Sequence, residues 1–179
     1  MARSPHPPVK SRQSLRKNEV RLGLRVASGA LHDDPPRLAG PTLDGDQVSV
    51  DDLLGKVVLV VFWSAEVKPF LEQLPQLLEL TKKQSRRGVF VLGVNLDQDR
   101  TVVDQFVMQH KISWTQIFET ESEKQGWNNP AVSFYGIMDL PALWLIDQSG
   151  NVVSTTVKIE TLPTALGKLL DGPKENVNK

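Results

Sequence analysis

The chain contains no cysteine among its 179 residues. Dithiol–disulfide exchange requires a thiolate that attacks a sulfur, so no residue of this polypeptide can carry out that step. The same absence removes every thiolate metal site and leaves the redox compartment undetermined, since nothing is available to oxidise. The three histidines, His6, His32 and His110, are too dispersed to suggest a ligand set. Long apolar runs are also missing. The longest, Val57–Trp63, has seven residues, against the roughly 18–20 that a membrane-spanning helix needs. No glycine-rich phosphate loop is present. The acidic stretches Asp97-Gln-Asp99 and Glu119-Thr-Glu121-Ser-Glu123 lack the glycine and spacing of a calcium loop, and read as solvated loops. No cofactor or metal is therefore expected.

At 40% hydrophobic residues, a chain of this length can bury a substantial single core. Its net charge is zero but unevenly spread. Residues 1–37 hold eight Lys/Arg against three Asp/Glu, a balance of +5, which leaves −5 on the remainder. Residues 1–36 read as a basic extension or linker, 37–171 as the folded domain, and 172–179 as a polar tail. The basic extension has no interleaved aromatic residues for base stacking, so nucleic acid is not an expected partner. Arg25 interrupts its only apolar stretch, Leu22-Gly-Leu-Arg-Val-Ala, which argues against a secretory signal core.

From Leu38 onward, turn and strand signals alternate regularly. Residues 43–50 read as a hairpin turning at Asp44-Gly45, and Asp51–Gly55 as a short helical turn. Val57–Trp63 is apolar at every position, as expected of a central strand covered on both faces. A helix follows, with Phe70, Leu74, Leu77 and Leu78 at helical spacing and cations near its end. Val89–Leu96 reads as a second buried strand, and Asp99 as the cap of a helix bearing Val102, Val103, Phe106 and Val107. Pro130–Tyr135 suggests a short helix, 142–147 with 151–157 a hairpin, and 161–170 a final amphipathic helix. Strands alternating with helices and ending in a hairpin predict an α/β fold, with a mixed central sheet and helices on both faces.

This order, and a set of separated local sequences, resembles the thioredoxin-like superfamily. The similarity is greatest to its TlpA/ResA-like and AhpC/TSA-type thiol–disulfide oxidoreductases, over roughly Leu38 to Leu170. The matching segments are Gly55-Lys-Val-Val-Leu-Val-Val-Phe-Trp63, Pro69, Pro75, Val94-Asn-Leu-Asp97, Gly126-Trp-Asn-Asn-Pro130, Tyr135-Gly-Ile-Met-Asp-Leu-Pro141 and Leu145-Ile-Asp-Gln-Ser-Gly-Asn-Val-Val153. The resemblance implies a thioredoxin-like fold with an N-terminal hairpin. It also implies a cis peptide before Pro141, where a plain reading allows a trans proline opening a strand. In the family, the backbone of the residue before this proline, here Leu140, pairs with an extended segment of a partner.

The departures fall on the chemistry. The resemblance puts Val67 and Phe70 at the two positions of the Cys-x-x-Cys motif, with Lys68 and Pro69 between them. Val61 occupies a strand position where many relatives hold a buried acid, and Glu66 replaces an aromatic residue. A helix N-terminus activates a thiol but offers nothing to valine or phenylalanine. Ser64 lies nearby, but as a nucleophile it would need a positioned base, and His110 is expected to be exposed on the far side of the sheet. Glu66 and Lys68 read as surface charges rather than an acid–base pair. What remains is an apolar platform of Trp63, Val67, Phe70, Leu140 and Pro141, with Phe70 either exposed or turned into the core. Trp114, Trp127 and Trp144 are core candidates, whereas Trp63 is expected to border the surface.

Two functions follow. One is a redox-inactive module that binds an extended peptide or protein segment through Trp63, Glu66, Leu140 and Pro141. The other is family-type oxidoreductase or peroxiredoxin-like activity, by a non-thiol route or through a partner's thiols. The resembled branch works mainly outside the cytoplasm, whereas no export signal is read here, so compartment and oligomeric state stay open.

Overall fold

The computed structural model describes residues 38–171; the basic extension and the polar tail lie outside them. Five strands form a mixed sheet in the order β5-β4-β3-β6-β7, and a two-stranded hairpin sits beside it. The hairpin pairs β1 (Ala39–Pro41) with β2 (Gln47–Ser49). Its first strand lies earlier than the 43–50 reading, because Thr42 accepts from the Gly45 and Asp46 amides and the turn spans Thr42–Asp46. A 3-10 turn, Val50–Leu53, is capped by the Ser49 hydroxyl. It leads into β3 (Val57–Trp63), which is buried at all seven positions.

The central strand explains the core. β3 runs parallel to β4 (Val89–Asn95) and antiparallel to β6 (Ala142–Ile146). Both of its faces are therefore covered, and alternate side chains serve different clusters. Val57, Leu59, Val61 and Trp63 pack under α1 (Lys68–Ser85), α2 (Arg100–His110) and α4 (Leu162–Asp171), meeting Phe70, Leu74, Leu77, Val103, Leu162 and Leu166. Val58, Val60 and Phe62 pack on the other face with Leu38, Val50, Leu53, Ala131, Val132 and Trp144. That face is closed by the hairpin and by α3 (Pro130–Tyr135).

α3 begins where Asn129 accepts from the Ala131 amide, and ends at Gly136, whose φ of 64° a side chain rarely adopts. β5 (Thr115–Phe118) pairs with β4, and its outer edge is met by the hairpin through an antiparallel bridge between Thr42 and Ile117. β7 (Val152–Ser154) is shorter than the 151–157 reading, and its ladder is broken by an irregularity at Leu145/Ile146. The polar segment before α3 forms two 3-10 turns, Ser122–Lys124 and Gly126–Asn128.

Candidate functional site

The site forms where β3 ends and α1 begins. The chain leaves the sheet at Trp63 and turns through Ser64–Glu66, and Val67 stands at the helix N-cap without a side-chain capping bond. The Val67 amide donates to the Ser64 carbonyl, and Phe70 and Leu71 donate back to the Val67 carbonyl. Pro69 fits the first turn because that turn's amides have no intrahelical partner. Glu66, Lys68 and Pro69 are exposed, and Val67 is half-buried. Lys68 pairs with Glu72 one turn on, at 3.7 Å, with both side chains largely in solvent. Such a contact adds little.

Phe70 does not reach the surface. It is completely buried, with its ring centroid 4.8 Å from that of Trp63 and 6.1 Å from that of Phe106. Trp63 and Phe106 are 5.2 Å apart, so the three rings form one stack beneath the first turn of α1. The core alternative for Phe70 is the one observed.

Trp63, expected at the surface of the motif, is equally buried. Its indole N–H donates to Gln116 Oε1 at 2.9 Å, and Gln116 in turn donates to the Trp114 carbonyl. Gly93 makes room for this arrangement: a Cβ there would stand 1.9 Å from Gln116 Oε1. Trp127, expected in the core, is instead 52% exposed, because it lies on a short 3-10 turn outside both clusters. His110 is half-buried rather than exposed. It stacks on Phe106 at 4.3 Å, on the same face of the sheet as Phe70 and separated from it by one ring.

The residue that sequence reasoning missed is Asp97. Its carboxylate accepts from the Ser64 hydroxyl at 2.8 Å, the Ala65 amide at 2.9 Å and the Asn95 side-chain amide at 2.6 Å. The Asp97 amide donates to Asn95 Oδ1, and the Leu96 amide donates to the Trp63 carbonyl. Asp97 is thus no solvated loop acid: it ties the loop after β3 to the loop after β4. Asp99 behaves as read, accepting from the Thr101 amide to cap α2. The Val94-Asn-Leu-Asp97 match was the available signal, but its pairing with Ser64 crosses 33 residues.

The cis bond between Leu140 and Pro141 is present. Leu140 and Pro141 are half-buried. The apolar platform is nevertheless divided, since Val67 packs with the α1-side cluster and Leu140 with the α3-side cluster. Tyr135, in the ring group with Phe134 and Trp144, has its hydroxyl pKa pushed up to about 12 by burial. Ser64 donates to a carboxylate, and no histidine among the described residues bonds to it. Among the described residues, no group of three His, Cys, Asp or Glu could hold a metal ion, and no helix is long and apolar enough to cross a membrane.

A mixed five-stranded sheet carrying a strand-to-helix turn, with a cis-proline loop leading into β6 beside the central β3, defines a thioredoxin-like domain. A thioredoxin domain of a thiol-disulfide oxidoreductase from Bacteroides vulgatus superposes with a TM-score of 0.68 and 25% identity, covering 80% of this chain and 99% of that one. A thiol:disulfide interchange protein from Bacteroides sp. gives 0.67 and 26%, covering 80% and 91%. Residues 31–155 match the AhpC/TSA family, and the chain belongs to that family. Its sequence is similar to the thiol-disulfide oxidoreductase ResA of Bacillus thuringiensis subsp. konkukian, with 27% identity over 120 residues. That match covers 67% of this chain and 65% of the relative's length. ResA of Bacillus anthracis is 27% identical over 128 residues, covering 72% of this chain and 70% of that one.

Proposed function

We propose that this chain is a redox-inactive thioredoxin-like module that binds an extended polypeptide segment along the loop ending at Leu140 and Pro141. One observation carries the reading: the chain has no cysteine, and Phe70, at the second motif position, is a fully buried member of the ring stack with Trp63 and Phe106. A thiol lost by a single exposed replacement would leave the rest of the site unchanged. Here the position is part of the core, while Asp97 holds the neighbouring turn through the two hydrogen bonds it accepts from Ser64 and Ala65.

In this reading the partner's backbone pairs beside Leu140, with Glu66 and Val67 on the facing turn and Pro141 fixing the direction of the chain. Trp63 supports the turn from below rather than touching the partner. The second reading, thiol–disulfide oxidoreductase activity of the kind the ResA relatives are named for, would need the thiols of a partner protein.

Two measurements test the proposal. Insulin reduction by dithiothreitol is expected to run at the uncatalysed rate in the presence of the purified chain; acceleration proportional to its concentration refutes redox inactivity. A library of extended peptides is expected to yield binders whose affinity falls about tenfold or more in Leu140→Asp, because a carboxylate buried under a peptide lacks a partner. Binders indifferent to that substitution would move the site elsewhere.

A further inference from the structure

The described chain begins at Leu38, buried in the same cluster as Ala131 and Val132 of α3. From there β1 runs antiparallel to β5, bridged at Thr42 and Ile117, with the Leu43 amide donating to the Gln116 carbonyl. β5 ends at Phe118, and the segment that follows it carries Glu119, Glu121 and Glu123; its Ser122–Lys124 turn meets the Gly126–Asn128 turn. Next to that segment is a corner with unusual exposure. Trp127 is 52% and Phe134 43% exposed, on the Gly126–Asn128 turn and on α3. The two elements are joined where the Ser133 hydroxyl donates to the Trp127 carbonyl.

Trp127 and Phe134, on two elements joined by that bond, offer apolar surface to an occupant. The charge around them selects its chemistry. Residues 119–125 hold three glutamates and one lysine, and that lysine, Lys124, is already paired with Glu121 at 2.7 Å.

We propose that the occupant is the chain's own basic segment, residues 10–25, seated across Trp127 and Phe134 with its cations toward Glu121 and Glu123. Lys10, Arg12, Arg16, Lys17, Arg21 and Arg25 supply the charge, and Leu22 and Leu24 supply apolar surface for the rings. The segment is tethered through Leu38, which lies in the cluster that holds Ala131 and Val132 of α3. Twelve residues lie between Arg25 and Leu38, a reach of up to about 43 Å over the connecting peptide steps, against a radius of gyration of about 14 Å for a domain of this size. A tether this short holds its end near millimolar effective concentration, so weak ionic and apolar contacts suffice. The balance of +5 on residues 1–37 against −5 on the rest has the matching sign.

The test uses the full chain. Zero-length carbodiimide coupling is expected to join Lys10 or Lys17 to Glu121 or Glu123 within one molecule, and these links should disappear in high salt as screening shortens to a few ångströms. Acrylamide quenching of tryptophan reports Trp127, the most exposed of the four. It is expected to increase in Arg16→Glu/Lys17→Glu/Arg21→Glu and to return toward the parent value when Glu121→Lys/Glu123→Lys is added. Links that form only between molecules would assign the corner to a second copy and overturn the proposal. So would quenching that neither charge reversal nor salt changes.

Discussion

Phe70→Cys places a sulfur at the position proposed as the second of the motif, and its cost measures how firmly the ring is held in the core. The ring is fully buried and stacked against Trp63 and Phe106 at 4.8 and 6.1 Å. Truncating a buried phenylalanine to alanine costs about 3–5 kcal/mol through lost burial and residual cavity, and cysteine's sulfur recovers only part of that. We therefore expect a loss of about 2–4 kcal/mol, a large share of the roughly 5–15 kcal/mol that holds a typical domain together. In a domain of this size, this lowers the midpoint of thermal unfolding by about 8–15 °C.

The assay is urea unfolding followed by tryptophan fluorescence, which Trp63 makes sensitive to the stack. Lys68→Cys serves as the control: its side chain is exposed, and a change within about 0.5 kcal/mol is expected. If Phe70→Cys costs no more than Lys68→Cys, the ring stack does not hold the turn and the argument for a converted active site fails. The double variant Val67→Cys/Phe70→Cys extends the test. The two positions are three residues apart in the helix's first turn, close enough for a disulfide. The reduced form of that variant should still show the full destabilisation.

Three further outcomes follow from the same geometry. Gly93→Ala places a methyl group 1.9 Å from Gln116 Oε1. It should displace that side chain and strand the Trp63 indole N–H, for a loss of about 2–4 kcal/mol in urea unfolding; a neutral result would show that Gln116 can relocate freely. Asp97→Ala removes the acceptor for Ser64, Ala65 and Asn95. It should lower stability by about 2–3 kcal/mol and speed hydrogen exchange of the Ala65 amide, and unchanged exchange would count against the tether. Tyr135, the only tyrosine, is raised by burial from 10.0 to about 12. Its folded form resists ionisation, so it contributes stability that is present below pH 10 and lost as pH rises from about 10 to about 12. Tyrosinate absorbance should titrate late in the folded chain, and Tyr135→Phe should flatten that part of the stability profile.

Much of the architecture is legible in the residues. The all-apolar run Val57–Trp63 can only be a strand covered on both sides, and β3 is flanked by β4 and β6 with every residue buried. The Asp99 cap and the Pro130–Tyr135 helix follow from local hydrogen-bonding chemistry and appear where local rules put them. The hairpin and β7 are less faithful to their patterns, because short strands take their ends from the partners they meet rather than from their own propensity.

The absence of a thiol was settled by the sequence alone: a reaction that needs a thiolate of this chain is excluded however it folds. Tertiary structure decided what replaced it. Phe70 faces inward because Trp63 and Phe106 offer it rings to pack on, and Asp97 became an anchor because Ser64 and Ala65 arrive beside it from more than thirty residues away. Trp63 and Trp127 exchanged their expected places for the same reason. Whether a tryptophan is buried depends on the neighbours that reach it, and here Gln116, 53 residues from Trp63, supplies the partner that lets one indole leave water.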